Sequence, residues 1–131
     1  MTAGFIAATV NSFLGAIRTG GSNMTAVTNA YVQLHTGDPG AAGTANVSAG
    51  STTRVVVNHT APAAGAMTMT GTAPSWTNGG TSETITHISV WDATTSGNCK
   101  YTVQLSASKA WASGDTLTLT SLSLSVTPVA A

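Results

Sequence analysis

The stretch Glu-Thr-Ile-Thr-His-Ile-Ser-Val-Trp-Asp-Ala, residues 83–93, decides the fold. Its apolar side chains occupy both parities, Ile88 and Val90 pointing one way and Ile85 and Trp91 the other. A strand with apolar residues on both sides is covered on both sides, and so belongs in the middle of a sheet. β-branched and aromatic residues fill the stretch, as a pleated buried surface requires.

Outward from this strand, short runs with strand character recur at intervals of roughly ten residues, separated by turn residues. Tyr31 to His35 alternates, with Val32 and Leu34 on one face and Tyr31, Gln33 and His35 on the other. Gly37-Asp38-Pro39-Gly40 follows as a tight turn, Pro fixing φ and glycine tolerating positive φ. A small, polar loop from Ala41 to Thr52 leads to a strand over Arg54 to Thr60, in which Val55 and Val57 oppose Arg54, Val56 and Asn58. Ala66 to Gly71 alternates Met with Thr, and Ala73 to Thr77 carries Trp76 ahead of the Asn78-Gly79-Gly80 turn. Tyr101, Val103 and Leu105 share an inward face.

The C-terminal run from Thr116 to Val126 changes phase. Leu117 and Leu119 occupy odd positions, whereas Leu122, Leu124 and Val126 occupy even ones, so a bulge or a bend onto a second sheet is predicted near Ser121. Pro128 ends the strand. Taken together, the pattern predicts an all-β fold, an antiparallel β-sandwich of jelly-roll or Ig-like type, preceded by one N-terminal amphipathic helix.

That helix is predicted over residues 3–18. Ile6, Val10, Phe13, Leu14 and Ile17 recur at spacings of three and four and share a face that Phe5 widens. Thr2 can serve as N-cap, Arg18 suits the negative end of the helix dipole, and Gly20-Gly21 stops the helix. Such a helix either pads its own sandwich or docks on a neighbouring subunit as an assembly arm. Residues 1–29 therefore form a helix and connector, and residues 30–131 form the sandwich domain.

Composition narrows the function. Only 6% of the 131 residues are charged, against roughly 25% in an average soluble protein. Four basic and four acidic residues give a net charge of zero. No basic stripe exists to neutralise phosphates or anionic lipid, so neither nucleic acid nor a membrane surface is an expected partner. A surface with so few charges is poorly protected against association, which points to a chain covered by copies of itself or by partners. The opening apolar segment lacks the pattern of a signal peptide and is too short to span a bilayer.

Catalytic chemistry has little material. The carboxylates are Asp38, Glu83, Asp92 and Asp115, and the neutral-pH bases are His35, His59 and His87. Asp38, Asp92 and Asp115 stand where short acidic side chains close turns, and each histidine lies singly on its strand without paired-ligand spacing. No nucleophile elbow and no phosphate-cradling glycine loop is present. No catalytic, cofactor or metal residue is expected. Cys99, in a Gly97-Asn98-Cys99-Lys100 turn, has no partner for a disulfide or a metal. Trp76, Trp91 and Trp111 are residues that fill a core or an interface, or, if exposed, stack on a sugar ring of a host-surface glycan.

Tyr-Val-Gln-Leu-His-Thr-Gly-Asp-Pro-Gly (31–40), Thr-His-Ile-Ser-Val-Trp-Asp-Ala (86–93) and Ser-Gly-Asp-Thr-Leu-Thr-Leu-Thr-Ser-Leu-Ser-Leu-Ser (113–125) carry a resemblance. In these motifs the chain resembles small virion proteins of tailed bacteriophages, of the minor tail or tail-fibre type, common in phages of actinobacteria. The resemblance implies a non-enzymatic β-sandwich built into the particle surface as a homo-oligomer such as a trimer. Its partners would be itself and other virion proteins of the tail or capsid, with the host cytoplasm as the place of assembly. Capsid decoration and carbohydrate or receptor binding are the alternatives.

Overall fold

The computed structural model describes residues 3–18, 20 and 24–127. Over these the chain forms α1 (Ala7–Ile17) and then β1 (Ala30–His35), β2 (Val55–His59), β3 (Ala66–Thr70), β4 (Ser75–Thr77), β5 (Glu83–Trp91), β6 (Cys99–Trp111), β7 (Thr116–Thr118) and β8 (Ser123–Ser125). Six strands make one curled antiparallel sheet in the order β6-β5-β1-β2-β3-β8, and β4 pairs with β7 in a second, two-stranded sheet. The architecture is all-β and sandwich-like, with one helix ahead of it.

β5 lies between β6 and β1, the inner position that its two-sided apolar pattern predicts. The sidedness differs from simple alternation, however. Ile85 pairs with Lys109 and His87 with Gln104, so residues 105–108 of β6 bulge opposite Thr86 alone. That irregularity flips the phase of β5 and turns Ile85 to the same side as Ile88 and Val90. These three join Val32, Leu34, Val57, Trp76, Tyr101, Trp111, Leu117 and Leu122 in a single buried cluster. Trp91 stays on the opposite face, where its Nε1 donates to Ser89 Oγ at 2.7 Å.

The phase change in the C-terminal run is a change of sheet. β7 pairs with β4, placing Leu117 opposite Trp76, and β8 pairs with β3, placing Leu124 opposite Met67. Leu117 and Leu122 both enter the core from these two sheets, which is how a chain with one odd and one even leucine pair satisfies a single interior.

The helix begins later than its apolar spacing predicts. Residues 3–6 are extended and lie along β6: Thr102 N donates to Gly4 O at 2.8 Å, and Ile6 N donates to Lys100 O at 3.3 Å. Phe5 forms a bridge with Tyr101, and the rings meet edge to face at 6.0 Å. The free edge of β6 offers these residues a ladder, whereas a helix would keep Gly4 at a cost of about 1 kcal/mol relative to Ala. Ile6 is therefore the N-cap residue, its carbonyl accepting from Thr9 N and Val10 N, and not a member of the helical face. Arg18 is the C-cap. The Thr2 cap, Gly21 and Pro128 lie outside the described residues.

Cys99 also departs from expectation. It starts β6 and is buried, with burial pushing its thiol pKa up to about 11.

Candidate assembly surface

The outer face of β1 and β5 is covered by the long loop between β1 and β2. Asp38 Oδ1 accepts from Gly40 N at 2.8 Å, closing the turn that starts the loop. Val47 then bridges back to His35, and Ser48 N donates to Leu34 O at 3.0 Å. Glu83 holds the loop's far end, accepting from Ser48 Oγ and from the backbone N of Ala49 and Gly50. Gly43 sits so close that an added Cβ would lie 2.5 Å from Cys99 Sγ, and its φ is +73.

Beneath that loop a hydrogen-bond chain is closed. Ala45 O can only accept, so His35 donates to it from Nδ1 at 2.7 Å; His35 Nε2 then accepts from Ser89 Oγ at 2.7 Å, and Ser89 accepts from Trp91. The neutral imidazole is the form this network demands, and burial lowers the pKa of His35 accordingly. A serine beside a histidine suggests nucleophilic catalysis, but both residues have 0% exposure, and a carbonyl stands where an orienting carboxylate would. The pair is structural.

The indoles are accounted for in the same way. Trp76, Trp91 and Trp111 are all buried, and their Nε1 groups donate to Thr53 O, Ser89 Oγ and Asp115 O. The Arg54 guanidinium covers the Trp91 ring, 3.5 Å from its centroid, while donating to Gln33, Ala93 O and Ser96 O. The exposed stacking face that a sugar needs is presented by none of the three, a correction to that reading of the sequence. Asp92 caps the 92–98 turn by accepting from Asn98 N at 2.7 Å and pairs with Lys100 at 2.9 Å. His59 lies 3.3 Å from the Tyr101 hydroxyl, and His87 2.8 Å from Thr86. Among the described residues no three His, Cys, Asp or Glu side chains gather as a metal site, and no helix is long and apolar enough to cross a membrane.

What the body does not cover is α1. None of its residues is buried: Val10 is 39% exposed, Phe13 54%, Leu14 50% and Ile17 71%. These are the residues the apolar spacing singled out, now on the surface beside the half-buried Ile6. The helix also lacks a capping side chain, an acidic first turn and a basic last turn. At eleven residues it falls below the roughly 12–15 at which isolated helices become even marginal in water. Removing such side chains from water stabilises by about 1.5–3 kcal/mol each, so this face has a strong reason to be covered.

A family model described as podophage GP4 fiber I protein gp80 matches residues 5–127. The chain belongs to this phage fibre family. The match begins at Phe5, the residue seated on Tyr101, and so takes in the N-terminal arm with the sandwich. No curated protein matches the chain significantly. As a member of the gp80 fibre family, the chain is a structural protein of a phage particle.

Two residues that organise this fibre-family chain are not singled out by the sequence. Glu83 reads as one more strand carboxylate, yet it anchors a loop more than thirty positions away. Asn78 reads as a turn residue, and it is one, since its Oδ1 accepts from Gly80 N. Its Nδ2 also donates to Trp111 O at 2.9 Å and ties the two sheets together. The only signal for Asn78 is the Asn-Gly-Gly triplet, and nothing local marks Glu83.

Proposed function

We propose that the chain is a non-enzymatic tail-fibre component that assembles as a homo-oligomer, with residues 1–29 as the assembly arm and residues 30–131 as the body. The observation that carries this reading is an amphipathic helix whose Val10, Phe13, Leu14 and Ile17 face is left 39–71% exposed by its own sandwich. The low charge supports it, because 6% charged residues protect a free monomer poorly against association. Ile6, Val10, Phe13, Leu14 and Ile17 are the residues assigned to contacts with copies of the chain or with other tail proteins. The family's fibre description supports attachment at the tail over a place on the head lattice. Assembly takes place in the host cytoplasm before the particle is released.

The test is the solution mass of the purified chain by light scattering, alongside its binding to isolated tails and heads. A multimer that attaches to tails, and that Phe13→Asp with Leu14→Asp reduces to a folded monomer, is the expected result. A stable monomer that binds neither structure removes the reading, and attachment to heads alone moves the role to capsid decoration.

A further inference from the structure

We propose that in the assembled fibre the Ala3–Ile6 strand docks on β6 of a second copy, so that neighbouring chains exchange their N-terminal strands. The inference rests on the self-assembly reading and specifies how it is built.

The arm is held to the body by a short strand addition. Thr102 N to Gly4 O, Ile6 N to Lys100 O, and Gly4 N to Thr102 Oγ1 at 3.2 Å are its hydrogen bonds, and Phe5 against Tyr101 is its ring contact. A second copy's strand reaching the same edge makes the same bonds and the same ring contact. Exchange of identical elements between protomers therefore sacrifices no interaction. An open edge accepts a strand from either source, because its affinity comes from main-chain groups.

Two features of the fold favour the neighbour. First, α1 follows Ile6 directly and leaves its apolar residues largely exposed against its own body, so carrying it to another copy loses little burial and can gain some. Second, residues 18–29 read Arg-Thr-Gly-Gly-Ser-Asn-Met-Thr-Ala-Val-Thr-Asn, and those described from Met24 to Asn29 are all exposed. Twelve residues span up to about 40 Å when extended, enough to cross to an adjoining subunit. Because the arm and the β6 edge are different surfaces, the exchange closes as a reciprocal pair or as a larger ring, according to the rotation between copies.

Phe5 and Tyr101 face each other as a non-hydrogen-bonded antiparallel pair, since the flanking bonds run from Ile6 to Lys100 and from Thr102 to Gly4. Such pairs hold Cα atoms about 4.5 Å apart, within disulfide range. Differently tagged chains carrying Phe5→Cys or Tyr101→Cys, each with Cys99→Ala, are co-expressed, assembled and oxidised. The expected result is a disulfide-linked band containing both tags in the assembled material. Ile6→Cys with Lys100→Cys serves as a second pair away from the core, should Tyr101→Cys fail to fold. A multimer in which chains carrying both cysteines link only within themselves overturns strand exchange and leaves self-assembly standing. A chain that stays monomeric by light scattering overturns both.

Discussion

The N-terminal arm and the sandwich body draw on the same few residue types, yet they solve opposite problems. None of the described residues before Ala30 is buried, and the first that is, Val32, opens a core to which seven of the eight strands contribute directly or by flanking residues. In the body, apolar spacing is matched by a facing surface. In the arm the same spacing meets water. The lesson is that periodicity specifies which side chains share a face, and not whether that face is covered within the chain.

This contrast can be broken most severely from the body. Trp111 is 1% exposed and ties its Nε1 to Asp115 O. Trp111→Ala should cost about 3–5 kcal/mol, close to the whole stability of a small domain, and chemical denaturation will read it as a lost or much earlier transition. Gly43→Ala comes next. It places a Cβ 2.5 Å from Cys99 Sγ at φ +73, and about 2 kcal/mol of destabilisation is expected from the overlap and the left-handed backbone. Pairing it with Cys99→Ala removes Sγ but leaves the Cβ of residue 99 at 2.8 Å from the added one, so only part of the loss should be recovered, and a double-mutant cycle measures that part.

The buried polar layer gives a smaller and pH-dependent effect. Burial lowers the pKa of His35 below 6.5, so the folded state favours the neutral ring. Stability from this group is full above the unfolded value and is lost as the pH falls through 6.5 toward the depressed folded value. Thermal midpoints should decline over that window, and His35→Gln should flatten the decline while costing about 1–3 kcal/mol at neutral pH. His59, also lowered by burial, adds a decline of the same sign.

The arm should show almost nothing by these measures. Phe13→Asp with Leu14→Asp is expected to change single-chain stability by less than about 0.5 kcal/mol, while shifting the mass measured by light scattering. A large loss of stability in a dilute, monomeric sample would mean that the helix packs on its own body, and the contrast between the two regions would collapse.

Much of the body is legible in the sequence because its signals are local. Val32 and Leu34 alternate against Gln33 and His35, the Met67 and Met69 pattern marks a half-buried strand, and the leucine phase change near Ser121 marks the passage between sheets. Ile85 lies on the side of Ile88 and Val90 and not on that of Trp91, because the β5–β6 ladder breaks step between Ile85 and His87, opposite residues 105–108 of the partner strand. The candidate contact residues Val10, Phe13, Leu14 and Ile17 could be named from spacing alone, whereas their exposure could not.

The sequence by itself determined the all-β class, the turns, the alternating faces and the apolar stripe of the helix, since each follows from side-chain chemistry within a few positions. Only the tertiary structure decided that residues 3–6 leave the helix for the edge of β6. It alone buried the three indoles with their N–H groups satisfied, and it alone left α1 uncovered. Those outcomes depend on which distant backbone edge is free and which surfaces already face each other, and neither is written in the spacing of neighbouring residues.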